Sequence, residues 1–180
     1  VQHIDDAILK KINRMCYHKS TVLADKRLKD CCFKDDFHIM LDLPGSSVEK
    51  DLEMMDYFLN TEECRPDQIK LYPTEVVPFT EIEKWYKEGT YTPYGTRGII
   101  EVLSYYKPKI QHSIRINRVI RDIPSDYIMA GNDIPNMRQY LKERGVECNC
   151  IRCREILDTP FDIKDLDLII REYNCCEGRE

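Results

Sequence analysis

Three cysteines packed into one short stretch, Cys148-Asn149-Cys150-Ile151-Arg152-Cys153, carry the sharpest local chemistry in this chain. Thiolates at that spacing can wrap one tetrahedral ion, and a structural zinc closes its shell with four such ligands. Cys175 or Cys176 can fold back to supply the fourth. The competing reading is three free thiols, one or two of them core. The remaining cysteines, Cys16, Cys31, Cys32 and Cys64, are scattered among helix-like segments and read as buried thiols. Nine cysteines in 180 residues would suggest disulfides in a secreted protein. The spacing is uneven, however, and the start, Val1-Gln2-His3-Ile4-Asp5-Asp6, lacks a basic stretch followed by an apolar one. The expectation is a reducing, cytoplasmic compartment. The start also lacks an initiator Met, which suggests a processed chain or part of a longer one.

The four histidines offer less. His38 sits in an apolar run and reads as a lining or core residue. His3, His18 and His112 read as exposed, and none is placed to activate a Ser or Cys.

The elements that must hold these groups alternate strand-like and helix-like patterns, the sign of an α/β parallel sheet. Helices are expected over 5–15, over 20–33 with Ser20 as N-cap, and over 48–60 with Ser47 as N-cap. Strands are expected at 37–43 and 68–72, stopped by Pro44-Gly45 and Pro73. A short helix over 79–88 holds Trp85, and a turn-rich loop runs from Gly89 to Gly98. A helix over 97–107, a strand over 113–119 and a helix over 134–144 ending at Gly145 follow. The apolar positions Ile163, Leu166, Leu168, Ile169 and Ile170 suggest a last amphipathic helix over 162–173. Apolar residues at 42% and charged residues at 33% fit one globular core. No apolar run is long enough to cross a bilayer. The net charge of −5 leaves no overall basic surplus, so any RNA contact needs a local patch or parts outside the chain.

Met40-Leu41-Asp42-Leu43-Pro44-Gly45-Ser46-Ser47 resembles a strand exit of radical S-adenosylmethionine (SAM) barrels, where a Pro-Gly turn lets backbone approach a ligand. Lys70-Leu71-Tyr72-Pro73-Thr74 follows at the matching distance. Arg118-Val119-Ile120-Arg121-Asp122-Ile123-Pro124, Ala130-Gly131, Asn136-Met137-Arg138 and the Cys148–Cys153 segment complete the order. The ordered set resembles the Elongator complex protein 3 family over nearly the whole chain.

That resemblance implies the C-terminal portion of a partial (β/α) TIM-like radical SAM barrel over 1–145. A small Cys-containing, zinc-binding linker over 146–180 would lead toward an absent acetyltransferase domain. The implied activity is carboxymethyl-type modification at carbon 5 of the tRNA wobble uridine, with SAM, a [4Fe–4S] cluster and acetyl-CoA in the full-length parent. The family's cluster cysteines lie upstream of this chain, and Cys148–Cys153 does not have their spacing. The fragment alone would then be inactive. The implied partners are tRNA and, if eukaryotic-like, other Elongator subunits, with no membrane. Gln2, Asp42, Lys70 and Tyr72 would face SAM. Their plainer readings are a turn cap for Asp42, a carboxylate partner for Lys70 and a core position for Tyr72. Where relatives often place a His after the third cysteine, this chain has Asp158, a less common structural ligand. Arg115, Arg118 and Arg138 would meet tRNA phosphates, and Arg121 reads as structural; pairing with Asp122, Asp126 and Asp133 is the alternative. Two other readings stand beside this one: a different radical SAM enzyme, and a truncated, non-catalytic protein that binds tRNA or Elongator partners.

Overall fold

The computed structural model describes residues 1–121, 123–176 and 178–179. Three strands, β1 (Asp36–Leu41), β2 (Gln68–Pro73) and β3 (Arg115–Arg118), form a parallel sheet in the order β1-β2-β3. Parallel neighbours need crossovers. The first is α3 (Val48–Asn60), and the second contains α4 (Glu81–Lys87) and α5 (Gly95–Tyr106).

The strand sequences decide which face is dry. Phe37, Ile39 and Leu41 alternate with Asp36, His38 and Met40, and Ile69 and Leu71 alternate with Gln68, Lys70 and Tyr72. Side chains two apart share a face. The first set is buried with Met54, Met55 and Phe58 of α3 and Ile99, Val102, Leu103 and Tyr106 of α5. The second set forms a polar face bound by its own network. Lys70 Nζ pairs with Asp36 at 2.6 Å and lies 3.1 Å from His38 Nε2, while Asn117 bonds both Asp36 and Gln68.

Local chemistry sets the helix starts. Asp5 accepts the N–H groups of Ala7 and Ile8 and begins α1 (Asp6–Lys11). Ser47 accepts from Lys50 N and begins α3, as expected. The turn before it needs Gly45, whose φ is +98°. Gly145, at φ +78°, follows α6 (Met137–Glu143).

Several expectations fail. Helix α1 is shorter than 5–15. Helix α2 (His18–Asp30) starts before Ser20, with Tyr17 at its N-cap and no side-chain bond there. Its expected apolar face is largely in solvent: Leu23 and Leu28 are exposed, and so is Phe33 beyond it, while Asp25 is buried. Cys16, Cys31 and Cys32 are exposed, and only Cys64 of that group is buried. His3, read as exposed, is buried against Asp51 at 3.1 Å.

The last helix does not form. Residues 162–173 hold one 3₁₀ turn, Ile163–Asp165, before a small hairpin of β4 (Asn174–Cys175) and β5 (Gly178–Arg179). Leu168 is 88% exposed and Ile163 80%. An amphipathic stripe becomes a helix mainly by burying that stripe, and these side chains meet no such surface among the described residues. No helix of the described residues is long and apolar enough to cross a membrane.

Candidate functional site

A cleft of about 470 Å³ opens at the C-terminal ends of β1, β2 and β3. Parallel sheets place ligand sites at this end. Gln2, His38, Tyr72, Glu75 and Arg121 give it a few polar groups, Met40 and Leu43 line it with apolar surface, and Ile82 and Trp85 of α4 close one side. Gln2 is brought here because residues 1–4 run beside β1, where Met40 N donates to Gln2 O at 2.9 Å. Tyr72 reaches it from β2 and packs edge-on against His38, with ring centroids 5.8 Å apart.

Two of the four expected SAM-facing residues therefore line the cleft, and two do not. Lys70 shares the sheet face with Tyr72 but lies further from the strand ends, held by Asp36. Asp42 is behind the cleft, 2% exposed, at φ +62°. Its carboxylate accepts the N–H groups of Tyr94 and Gly95 at 2.9 Å each, and its carbonyl accepts from Tyr91 Oη at 2.6 Å. Asp42 N donates to Asp51 Oδ2 at 2.7 Å. Asp51 is fully buried and also accepts from Ser46 Oγ and Tyr94 Oη. Lys70 follows its plainer reading as a carboxylate partner, while Asp42 holds the start of α5 rather than the turn after its own strand.

Glu75 and Trp85 went unnamed as site residues. Glu75 sits just past Pro73 at the exit of β2, and burial pushes its carboxyl up to about 7, against the opposing pull of Asn132 and Arg121. An acid two residues beyond a strand-ending proline was the signal available. Burial also pushes Asp42 up to about 6, although the Gly95 and Tyr94 N–H groups favour its anion. His38 is pulled below its ordinary value by partial burial and by Lys70.

The Cys148, Cys150 and Cys153 sulfur atoms lie within 4.8 Å of one another. A 3₁₀ turn, Ile151–Arg154, begins at Cys150, and Ile151 N donates to Ile114 O at 3.0 Å, tying the turn beside β3. Cys150 is buried and Cys153 exposed. The Cys150 thiol is drawn well below its ordinary value by the bond from Cys148, whose own thiol that bond pushes up. Asp158 is exposed and outside this group. Cys175 lies in a different group, with Asp25 and Cys176. The terminal hairpin anchors there because Cys176 N donates to Glu62 O at 2.7 Å, so neither expected fourth ligand joins the triad.

A larger cleft, about 1050 Å³, borders the triad and is lined by Lys107, Arg118, Lys142, Arg152, Cys148 and Cys153 among others. Of the three expected phosphate-binding arginines, Arg118 faces it. Arg115 is turned to Asn117 and Glu155. Arg138 also borders the cleft, but its guanidinium donates to Ile116 O at 2.6 Å and Cys153 Sγ at 3.1 Å. Arg121 lines the smaller cleft, and its suggested partner Asp122 lies outside the described residues. Asp133 bonds Thr96 instead.

Known proteins share this sequence and fold. Residues 66–145 match the Radical_SAM C-terminal domain. The chain is 33% identical over 190 residues to the tRNA uridine(34) acetyltransferase of Methanocaldococcus jannaschii, covering 100% of this chain and 35% of that protein. It is 31% identical over 188 residues to Elongator complex protein 3 of Homo sapiens, covering 100% of this chain and 34% of that one. The solved archaeal Methanocaldococcus infernus Elp3 with an N-terminal deletion superposes with a TM-score of 0.90 at 33% identity, over 99% of this chain and 44% of that one. The chain thus spans about a third of the curated relatives' length, and it belongs to the Elongator complex protein 3 family.

Proposed function

We propose that this chain supplies the later strands of a partial (β/α) radical SAM barrel in a tRNA wobble-uridine-modifying enzyme that uses acetyl-CoA. The observation that carries the reading is the 470 Å³ cleft at the C-terminal ends of three parallel strands, in a chain that follows a family member's fold closely. The relatives named tRNA uridine(34) acetyltransferase supply the substrate and the acyl group. The cleft falls within the ~300–1,000 Å³ of small-molecule sites. It combines apolar walls with a few polar groups, as an adenosyl moiety needs. Among the described residues no cysteine lines it, so ligands for an iron–sulfur cluster would come from outside this wall.

In this reading SAM, when bound, supplies an adenosyl radical. The chain's own residues bind and orient. The Gln2 amide and Tyr72 hydroxyl hydrogen-bond the adenosyl group, and Trp85 and Ile82 exclude water. Asp42 positions the start of α5 and touches no ligand. Lys70 keeps the inner sheet face ordered through Asp36 and His38. Cys148, Cys150 and Cys153 hold a structural zinc, whose fourth ligand is neither Asp158 nor Cys175. Residues 1–145 then form the barrel part, and 146–180 the bridge to an acetyltransferase domain and, in a eukaryotic setting, to other Elongator subunits. tRNA phosphates meet Arg118 and Lys142 along the larger cleft, beside Arg152, whose guanidinium donates to Asn117 O.

The test is SAM cleavage by the intact protein under anaerobic, reducing conditions with tRNA present. Gln2→Ala and Tyr72→Phe should each raise the KM for SAM several-fold. Unchanged KM values in both variants would remove this cleft as the SAM wall.

A further inference from the structure

A second group of sulfur ligands lies away from the triad and from both clefts. It joins three segments distant in sequence: Asp25 of α2, Cys64 after α3, and Cys175–Cys176 of the terminal hairpin. All four residues are buried. Cys175 Sγ and Cys176 Sγ are 3.6 Å apart, and Cys176 Sγ is 3.2 Å from Asp25 Oδ2. The Asp25, Cys175 and Cys176 ligand atoms all lie within 4.8 Å of one another, and Cys64 stands just outside that group, within electrostatic reach of Asp25 and Cys176. Around a tetrahedral zinc, with Zn–S bonds of ~2.3 Å, neighbouring sulfurs stand roughly 3.7 Å apart. The observed spacing is close to that before any ion is placed.

The backbone explains how adjacent cysteines can share one ion. Neighbours in an extended strand point to opposite faces. Cys176 instead adopts φ +49°, a left-handed conformation uncommon outside glycine. The turn brings its sulfur round to that of Cys175. The hairpin is fixed there by Cys176 N donating to Glu62 O and by Asn174 Nδ2 donating to Glu62 Oε1.

Asp25 is the group that packing alone does not account for. It is 1% exposed, and its Oδ2 accepts the Arg65 N–H at 3.1 Å. Its other oxygen has no hydrogen-bond partner, and the buried Asp35 carboxyl lies close enough to be perturbed by it. A carboxylate is expensive to bury. The Cys176 thiol that donates to it is a weak donor and offsets little of that cost, whereas a cation held by thiolates offsets it directly.

We propose that Asp25, Cys175 and Cys176 form a metal site for a thiophilic divalent ion of the zinc class, with the neighbouring buried Cys64 turning in as the fourth ligand. Each ligating thiol releases one proton to solvent as its S–metal bond forms, and no electron moves. Lys29, which acts on Cys175, offsets the excess negative charge. The ion staples the terminal hairpin to α2 and to the loop after α3, a structural role that does not depend on the SAM reading.

The experiment is zinc stoichiometry on the purified chain with Cys176→Ser, Cys64→Ser and Cys150→Ser variants, each checked for folding by circular dichroism. The triad accounts for any zinc lost in Cys150→Ser. The second site predicts one further equivalent in the wild type, retained in Cys150→Ser and lost in both other variants. Equal zinc in the wild type and a folded Cys176→Ser variant overturns the proposal. Should the variants unfold, cadmium NMR of the wild-type chain decides. One cadmium resonance coupled to the β protons of Cys64, Cys175 and Cys176 supports the site. Coupling confined to Cys148, Cys150 and Cys153, or a Cys175–Cys176 disulfide in metal-loaded protein, overturns it.

Discussion

Asp42 Oδ2 accepts the Gly95 N–H at 2.9 Å, so a residue leaving the first strand holds the first turn of α5, fifty-three positions later in the chain. Asp42→Ala removes both this bond and the one from Tyr94. A buried donor left unmet costs about 1–3 kcal/mol, and Ala is also poorly suited to φ +62°. Urea unfolding should show a loss of at least ~2 kcal/mol. Asn tolerates that φ and keeps one acceptor oxygen, so Asp42→Asn should lose clearly less. Equal losses would mean that the cap is not what Asp42 contributes.

The raised carboxyls make stability depend on pH with a definite sign. Asp42 is lifted from 3.8 to about 6 and Glu75 from 4.5 to about 7, both chiefly by burial. Between each pair of values the folded chain holds more protons than the unfolded chain. Stability from these groups therefore falls as pH rises through the window from about 4 to 7. The urea midpoint should drop from pH 5 to pH 8. Glu75→Gln should flatten the upper part of that fall, and Asp42→Asn the lower part. A flat profile in the wild type would show that neither carboxyl titrates as described.

These two carboxylates also show what the sequence could and could not disclose. Period-two patterning at Phe37–Leu41 and Ile69–Leu71 marks buried strands, because burial on one face leaves a local signature. Ser47 is legible as a cap for the same reason. The role of Asp42 depends on a helix start far along the chain, and no local pattern encodes that. Cys175 reads as a triad ligand because sequence shows ligand type and not which cluster a hairpin will reach. The stripe at Ile163–Ile170 reads as a helix, yet it needs a surface to bury against. Gln2 and Tyr72 are legible as cleft residues because the family resemblance points to that end of the strands and the strand period puts Tyr72 on one face with Lys70.

Gly98 of α5 packs tightly against Val48 at the start of α3 and against the Tyr94 ring. A Cβ there would stand 2.7 Å from Val48 Cγ2 and 2.4 Å from the Tyr94 ring. Replacing a helical Gly with Ala gains roughly 1 kcal/mol in propensity. Overpacking a tight contact costs about 1–3 kcal/mol. The clash should win, and Gly98→Ala should be less stable than the wild type by thermal unfolding. An increase in midpoint would mean that the two helices part at little cost.

Cys150 is the buried member of the triad, so its replacement tests both metal and packing. Cys150→Ser should lose the triad's zinc and unfold at lower temperature. Cys153→Ser, at the exposed position, should lose the zinc with a smaller effect on the metal-free chain. If chelation leaves the wild-type midpoint unchanged, the three thiols are packing groups only.

Arg118 and Arg138 both border the larger cleft, yet they should behave differently. Arg138 spends its guanidinium on Ile116 O and Cys153 Sγ, so Arg138→Ala should lower stability first. Arg118 faces the cleft beside Lys142 and Arg152. If it meets a tRNA phosphate in the intact protein, Arg118→Ala should weaken binding across tRNA sequences alike. It should also reduce the slope of log K against log salt by about 1. The mutation carries the same charge change at either position. An equal drop in slope for a folded Arg138→Ala variant would therefore point to the general field of the cleft rather than a contact at Arg118.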